Sequence, residues 1–167
     1  AGCYKIAWGV ESTCDENLQK MNKTGGGVKQ NFEDTVYVLG HSLHAGIINQ
    51  GYYIMGFPDE TKESIIKDAQ KIKDIPLHQL NIGIFTPIPL SAQFNQLKKE
   101  GFEFEEDLSM HDRNTLIYSH PSIDRKEMKE IQMKLHSDFY KSPEFRLNAM
   151  ESIRIDSRFE DSFNDYL

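Results

Sequence analysis

Apolar and polar positions alternate along CYKIAWGV, residues 3–10: Tyr4, Ile6, Trp8 and Val10 fall on one face, with Lys5, Ala7, Gly9 and Glu11 on the other. A period of two predicts a β-strand with one greasy face and one small, polar face. Thr13 and Glu16 then stand at capping-box spacing, which predicts a short helix to about Lys23, broken by Gly25, Gly26 and Gly27. Over residues 28–45 the period lengthens. Phe32, Val36, Leu39 and Leu43 make one helical stripe, with Gly46 placed for a left-handed cap. GYYIMGFPDET, residues 51–61, ends a strand at 50–56 on a glycine and a proline. A third helix over 61–73 turns Ile65, Ile66, Ala69 and Ile72 inward and stops at Ile75-Pro76. A strand at 79–85, QLNIGIF, leads through TPIPLS to a helix over 91–100 closed by Gly101.

The order is β-α-α-β-α-β-α, with connections too long for hairpins, so the expected class is α/β with parallel strands crossed over by helices. A doubly wound sheet and part of a barrel both satisfy it. Beyond Gly101 an acidic loop, EGFEFEEDLSMHD, precedes a helix over 124–140. Asp124 caps that helix, with Glu127 three positions on, and Met128, Ile131, Leu135 and Phe139 form its inward stripe. Another short helix is expected over 143–153. The division is residues 1–105 as the α/β unit and 106–167 as a helical extension.

With 167 residues and a formal charge of −7, the chain suits one domain with an appendage and offers no broad phosphate-binding surface, so nucleic acid is not an expected partner. No apolar run approaches the ~20 residues of a membrane span and no signal-peptide pattern occurs, so no membrane is expected and the expected compartment is the cytosol. Cys3 and Cys14, eleven apart, form neither a CxxC pair nor a zinc array and are expected as free thiols. Asn22-Lys23-Thr24 matches the glycosylation triplet by chance. The chain opens directly on a strand-like segment, the mark of a piece of a longer chain. The first strand's open edge is then expected to drive self-association.

In parallel α/β architecture ligands sit at the carboxyl ends of strands. Three such ends are visible: GVES at 9–12, GFPDET at 56–61 and FTPIPLS at 85–91. Gly56 permits close approach of a ligand to the backbone. Glu60 and Thr61 are expected in the first turn of the following helix, where a carboxylate complements the dipole. The same Gly-Phe-Pro also reads as a tight strand-to-helix turn. Glu11 ends a strand on its polar face and needs donors, either from protein or from ligand hydroxyls. Parity does not say whether Tyr52 or Tyr53 turns its hydroxyl inward. His41 and His44 lack a third ligand and read as an exposed pair. His111, Asp112 and His120 lie in loops with no nucleophile beside them. The triple glycine lacks the Lys-Ser/Thr of a phosphate loop. From residues alone, a non-catalytic interaction module and a small α/β enzyme of unrelated activity both stay open.

AWGVES with LQKMNK, then HAGIINQGYYIMGFPDET, then NIGIFTPIPLSAQF, in this order and spacing, resembles the second half of the radical S-adenosylmethionine (radical SAM) barrel. The likeness is greatest to the branch that often carries an N-terminal cobalamin-binding domain and includes magnesium-protoporphyrin ester cyclases. EEDLSMHDRNTLIYSHPSIDRKEMKEIQMKLHSDFY resembles that branch's helical tail. The resemblance implies half of a partial (β/α)6 barrel whose parent takes SAM and a [4Fe–4S] cluster, and cobalamin where the branch's N-terminal domain is present, with a small-molecule substrate. It implies that Glu11 and Ser12 contact the ribose and methionyl part of SAM, that Ile54, Gly56, Phe57 and Pro58 pack on adenine, and that Phe85, Thr86 and Pro87 line the adenine and substrate side. Two loop positions depart from the family: Asp59 stands where glycine is usual, and Leu90-Ser91 replace Gly-Thr. The family's CxxxCxxC cluster motif is not in this chain. The parent is thus expected to cleave SAM to a 5′-deoxyadenosyl radical, and this piece alone to be inactive.

Overall fold

A computed structural model describes residues 2–21, 24–25, 28–29 and 31–163. The elements are β1 (Lys5–Glu11), α1 (Asp15–Lys20), β2 (Thr24–Gly25), β3 (Val28–Lys29), α2 (Phe32–His44), β4 (Ile48–Met55), α3 (Lys62–Gln70), β5 (Gln79–Ile84), α4 (Ala92–Lys99), α5 (Arg125–Tyr140), α6 (Pro143–Ile155) and α7 (Glu160–Phe163). β1, β4 and β5 form one parallel sheet in that spatial order. The architecture is therefore α/β, with a three-stranded parallel sheet and flanking helices, as a partial barrel requires.

The alternation that predicted β1 also sets its faces. Val10 is buried on the helix side and Trp8 half-buried there, whereas Lys5, Ala7 and Gly9 are exposed on the other. β4 settles the tyrosine pair: Tyr53 is buried in the core and Tyr52 stands exposed on the other face. The helix side is pinned by a polar knot. The Asn49 carboxamide donates to the carbonyls of Leu39 (2.9 Å) and Pro76 (3.0 Å) and accepts from Trp8 Nε1 (3.0 Å), so one side chain ties β1, α2 and β4 together.

Several local expectations shift. Thr13 does not cap α1: Cys14 is the N-cap without a side-chain bond, and the buried Thr13 hydroxyl donates to the Asp68 carbonyl of α3 at 2.6 Å. A tertiary contact has displaced the local one. α1 ends at Lys20, with Met21 as its C-cap, short of the expected Lys23. Residues 28 and 29 belong not to α2 but to a two-residue antiparallel pairing with 24 and 25, and Asn31 caps α2 by accepting from the Asp34 amide. Gly26, Gly27 and Asn22-Lys23 lie outside the described residues. α3 gives way after Gln70 to a 3-10 turn over Lys71–Asp74. Gly46 takes the expected left-handed conformation, φ 73°.

The tail packs where its stripe predicts. Met128, Ile131, Leu135 and Phe139 of α5 are buried and join the same apolar core as Tyr53, Ile82 and Ile84. Each such burial stabilises by roughly 1.5–3 kcal/mol. α5 also closes the outer edge of β5. Gln132 Nε2 donates to the Ile82 carbonyl (2.6 Å), the Tyr140 hydroxyl accepts from the Leu80 amide (3.1 Å), and the Arg113 carbonyl accepts from the Ile84 amide (2.7 Å). At the opposite edge β1 pairs only with β4 among the described residues. The sheet thus has one sealed edge and one open edge. No helix among the described residues is long and apolar enough to cross a membrane.

Candidate functional site

The sheet and the tail line an open cavity of about 750 Å³. One wall comes from all three strands: Gly9 and Glu11 of β1, Tyr52, Tyr53 and Ile54 of β4, Asn81, Ile82 and Gly83 of β5. The other wall comes from the tail, including Arg113, Asn114, Lys129, Gln132 and His136. Its size suits a drug-sized ligand. A hollow of about 1090 Å³ lies between α4 and the segments around 102–106 and 116–125, but no sheet strand lines it. The strand-end chemistry belongs to the smaller cavity.

Glu11 sits at an irregularity in the β1–β4 pairing, between Gly9 and Glu11, with φ 61°. A left-handed residue bearing a Cβ costs roughly 1–2 kcal/mol, and such residues cluster where structure serves a ligand. Arg113 takes φ 64° and lines the same cavity. The third non-glycine residue of this kind among those described, Leu90 (φ 70°), stands where the resembled family has glycine. The neighbouring Ser91 still caps α4 by accepting from the Phe94 amide.

The expected site residues divide between two environments. Glu11 and Ile54 line the cavity. Ser12 is buried and its hydroxyl accepts from the Cys14 amide at 3.0 Å. Phe57 and Phe85 are buried in the core with ring centroids 4.6 Å apart, Pro58 is half-buried beside them, and Pro87 is buried. The Thr86 hydroxyl donates to the Ile84 carbonyl at 2.9 Å.

Gly56, at φ 82°, is approached by protein: a Cβ there would meet Met128 Cε of α5 at 2.9 Å. Around it the tail grips the turn through every second residue of an extended run. The Tyr118 hydroxyl donates to the Gly56 carbonyl, His120 Nε2 lies 3.0 Å from the Phe57 carbonyl, and the Ser122 hydroxyl donates to the Glu60 carbonyl at 3.3 Å. Glu60 is not in the first turn of α3, because Thr61 is the N-cap. Instead it is buried, and its carboxylate accepts from the Gly56 (2.7 Å) and Phe57 (2.9 Å) amides and from Asn17 Nδ2 (2.8 Å). Burial raises its pKa against the pull of these three donors. Gly56→Ala is expected to destabilise the fold by about 2 kcal/mol, from the left-handed backbone and the forced shift of Met128. Chemical denaturation measures it, and adding Met128→Ala should fail to recover the backbone share.

Sequence reasoning misses Arg113, Lys129, Gln132 and His136, because the apolar stripe of α5 says nothing of the face beside it. The sequence does hold one signal. Lys126 and Lys134 each have an acidic residue four positions on, whereas Lys129 has Met133.

A [4Fe–4S] cluster does not fit these residues. Cys3 is exposed, Cys14 is half-buried, and the described residues contain no group of three His, Cys, Asp or Glu able to hold a metal.

No protein-family model matches the chain. It is 28% identical over 141 residues to a bacteriochlorophyllide d C-12(1)-methyltransferase of Chlorobaculum tepidum, covering 84% of this chain and 30% of that protein. It is 26% identical over 147 residues to an anaerobic magnesium-protoporphyrin IX monomethyl ester cyclase of Rubrivivax gelatinosus, covering 87% of this chain and 25% of that one. The chain spans under a third of the length of these curated relatives. Both likenesses support a relationship to the radical SAM enzymes at the level of the family.

Proposed function

We propose that this chain forms the last strands and the tail of a radical SAM barrel, in a protein that reductively cleaves SAM to a 5′-deoxyadenosyl radical for cyclase or methyl-transfer chemistry on a small molecule. The observation that carries it is the convergence of three parallel strands, in consecutive order, on one cavity with Glu11 at its wall. The likeness to a methyltransferase and a cyclase supports it. Glu11 would accept the ribose hydroxyls and Ile54 would pack on adenine, while Gly56, Phe57, Pro58, Phe85, Thr86 and Pro87 shape the wall behind them and Ser12 fixes the bend after β1. The cluster, and cobalamin where the parent holds it, would be supplied outside these residues. The open edge of β1 is where a preceding strand pairs.

That open edge also favours a second reading, a non-catalytic module that pairs with another chain or with its own copy. Calorimetric titration with SAM and S-adenosylhomocysteine separates the two. The first reading expects adenosine-dependent binding that falls about tenfold in Glu11→Ala, the loss of one hydrogen bond to a charged group. It also expects no cluster absorbance after iron–sulfur reconstitution of this chain. Absence of nucleoside binding, with concentration-dependent dimerisation by light scattering, overturns it in favour of the module.

A further inference from the structure

The tail wall of the cavity carries positive charge in a chain that is otherwise acidic, with 26 Asp and Glu against 19 Lys and Arg. Several cations elsewhere are ion-paired. Lys20 pairs with Asp59, Lys62 with Glu127, Arg125 with Glu105, and Lys134 with Asp138. Arg113 and Lys129 have no carboxylate partner among the described residues. Lys129 Nζ donates to Gln132 Oε1 at 2.8 Å, and that glutamine is itself fixed by its bond to the Ile82 carbonyl. The Arg113 backbone is held by the Ile84 amide at the edge of β5, so the guanidinium springs from a fixed point on the cavity rim. Asp112, the neighbouring carboxylate, lines the same cavity and accepts from the Asn114 amide at 2.8 Å. Glu11 belongs to the opposite, sheet wall.

Two cations lining one cavity, neither ion-paired among the described residues, offer charge-assisted donors to an anion. We propose that Arg113 and Lys129 bind an oxyanion, a carboxylate or phosphate, of the substrate, so that the tail selects anionic small molecules and fixes their orientation. Arg113 offers a planar fork of donors and Lys129 a point charge on the same wall, donors that suit either oxyanion. The inference rests on the proposed function in taking this cavity as the reaction site, and it assigns the substrate's anchor to the β5 side and the SAM nucleoside to the β1 side at Glu11.

Fluorescence anisotropy of two matched probe pairs tests it on the whole chain. Protoporphyrin IX against its dimethyl ester reads a carboxylate, and riboflavin 5′-phosphate against riboflavin reads a phosphate. At least one acid is expected to bind more tightly than its neutral partner by about tenfold, with the preference weakened by salt and abolished in Arg113→Gln/Lys129→Gln. Lys129→Arg should retain it, and thermal melts of each variant confirm folding. Equal binding of acid and neutral forms, no binding of either acid, or a preference untouched by the double substitution overturns the proposal. SAM titration on the same variants keeps the two ideas apart. Unchanged SAM binding with no anion preference sinks this inference alone, and an anion preference without SAM binding sinks the proposed function alone.

Discussion

Replacing Glu60 by alanine is expected to destabilise the fold by about 3 kcal/mol, whereas Glu60→Gln should cost about 1 kcal/mol or less. The carboxylate is buried and satisfies three donors at once: the two amides of the strand-to-helix turn and the Asn17 side chain of α1. Truncation leaves the Gly56 and Phe57 amides without acceptors in a dry site, each a penalty of roughly 1–3 kcal/mol. Glutamine behaves differently because its partner can adapt. The carboxamide oxygen of the Glu60→Gln variant would take both amides, and its nitrogen would meet an Asn17 that has flipped to present its own oxygen. Urea unfolding at pH 7 measures both, and for a chain of this length 3 kcal/mol is about 6–12 °C in Tm. If Glu60→Ala costs under about 1 kcal/mol, the turn is held by the grip of Tyr118, His120 and Ser122 alone. Equal losses for alanine and glutamine would show that the negative charge, not acceptor geometry, is what the turn requires.

The part of this arrangement written locally was legible and the tertiary part was not. The alternation in CYKIAWGV, the stripe of α5 and the cap at Asp124 all act within a few residues, and the structure places each as the pattern implies, save that Tyr4 is exposed. Thr13 shows the limit: its capping-box spacing was sound, but a carbonyl of α3 fifty-five positions away claimed the hydroxyl. Glu60 carries the same lesson, since dipole reasoning put it in a helix and two orphan amides drew it under the turn. The sequence points to Gly56 as a place where a ligand approaches the backbone, and the group that approaches it in the structure is Met128 of the tail. The tail wall of the cavity was the least visible. Nothing in the spacing of Arg113 and Lys129 says that α5 will lie along β5, because that depends on Gln132 and Tyr140 finding the strand's open edge.

Stability is expected to fall by about 3 kcal/mol as pH drops from about 6.5 to about 4, through His78. The residue is completely buried, and its Nδ1 accepts the Asn49 amide at 2.9 Å, which fixes the tautomer with the proton on Nε2. Burial lowers its pKa to about 4. A second proton would also have to sit on Nδ1, facing the Asn49 N–H. The unfolded chain, with an ordinary histidine pKa of 6.5, takes that proton first. Acid therefore favours unfolding throughout the interval, with no contribution from His78 above it. Glu60 works in the opposite sense: its raised pKa lets the folded state take a proton before the unfolded one, which adds stability as the medium becomes acidic. The net slope mixes the two, so the comparison that isolates His78 is His78→Asn. Asparagine Oδ1 can stand where Nδ1 stands and keep the Asn49 amide bonded, without a titrating group. Urea unfolding of both proteins from pH 7.5 to 4.5 should give curves that converge as pH falls, the parent losing stability that the variant keeps. Parallel curves would mean that His78 takes its proton as readily in the folded protein as in the unfolded chain, and that the knot joining Asn49 to Trp8, Leu39 and Pro76 tolerates a cation at its base.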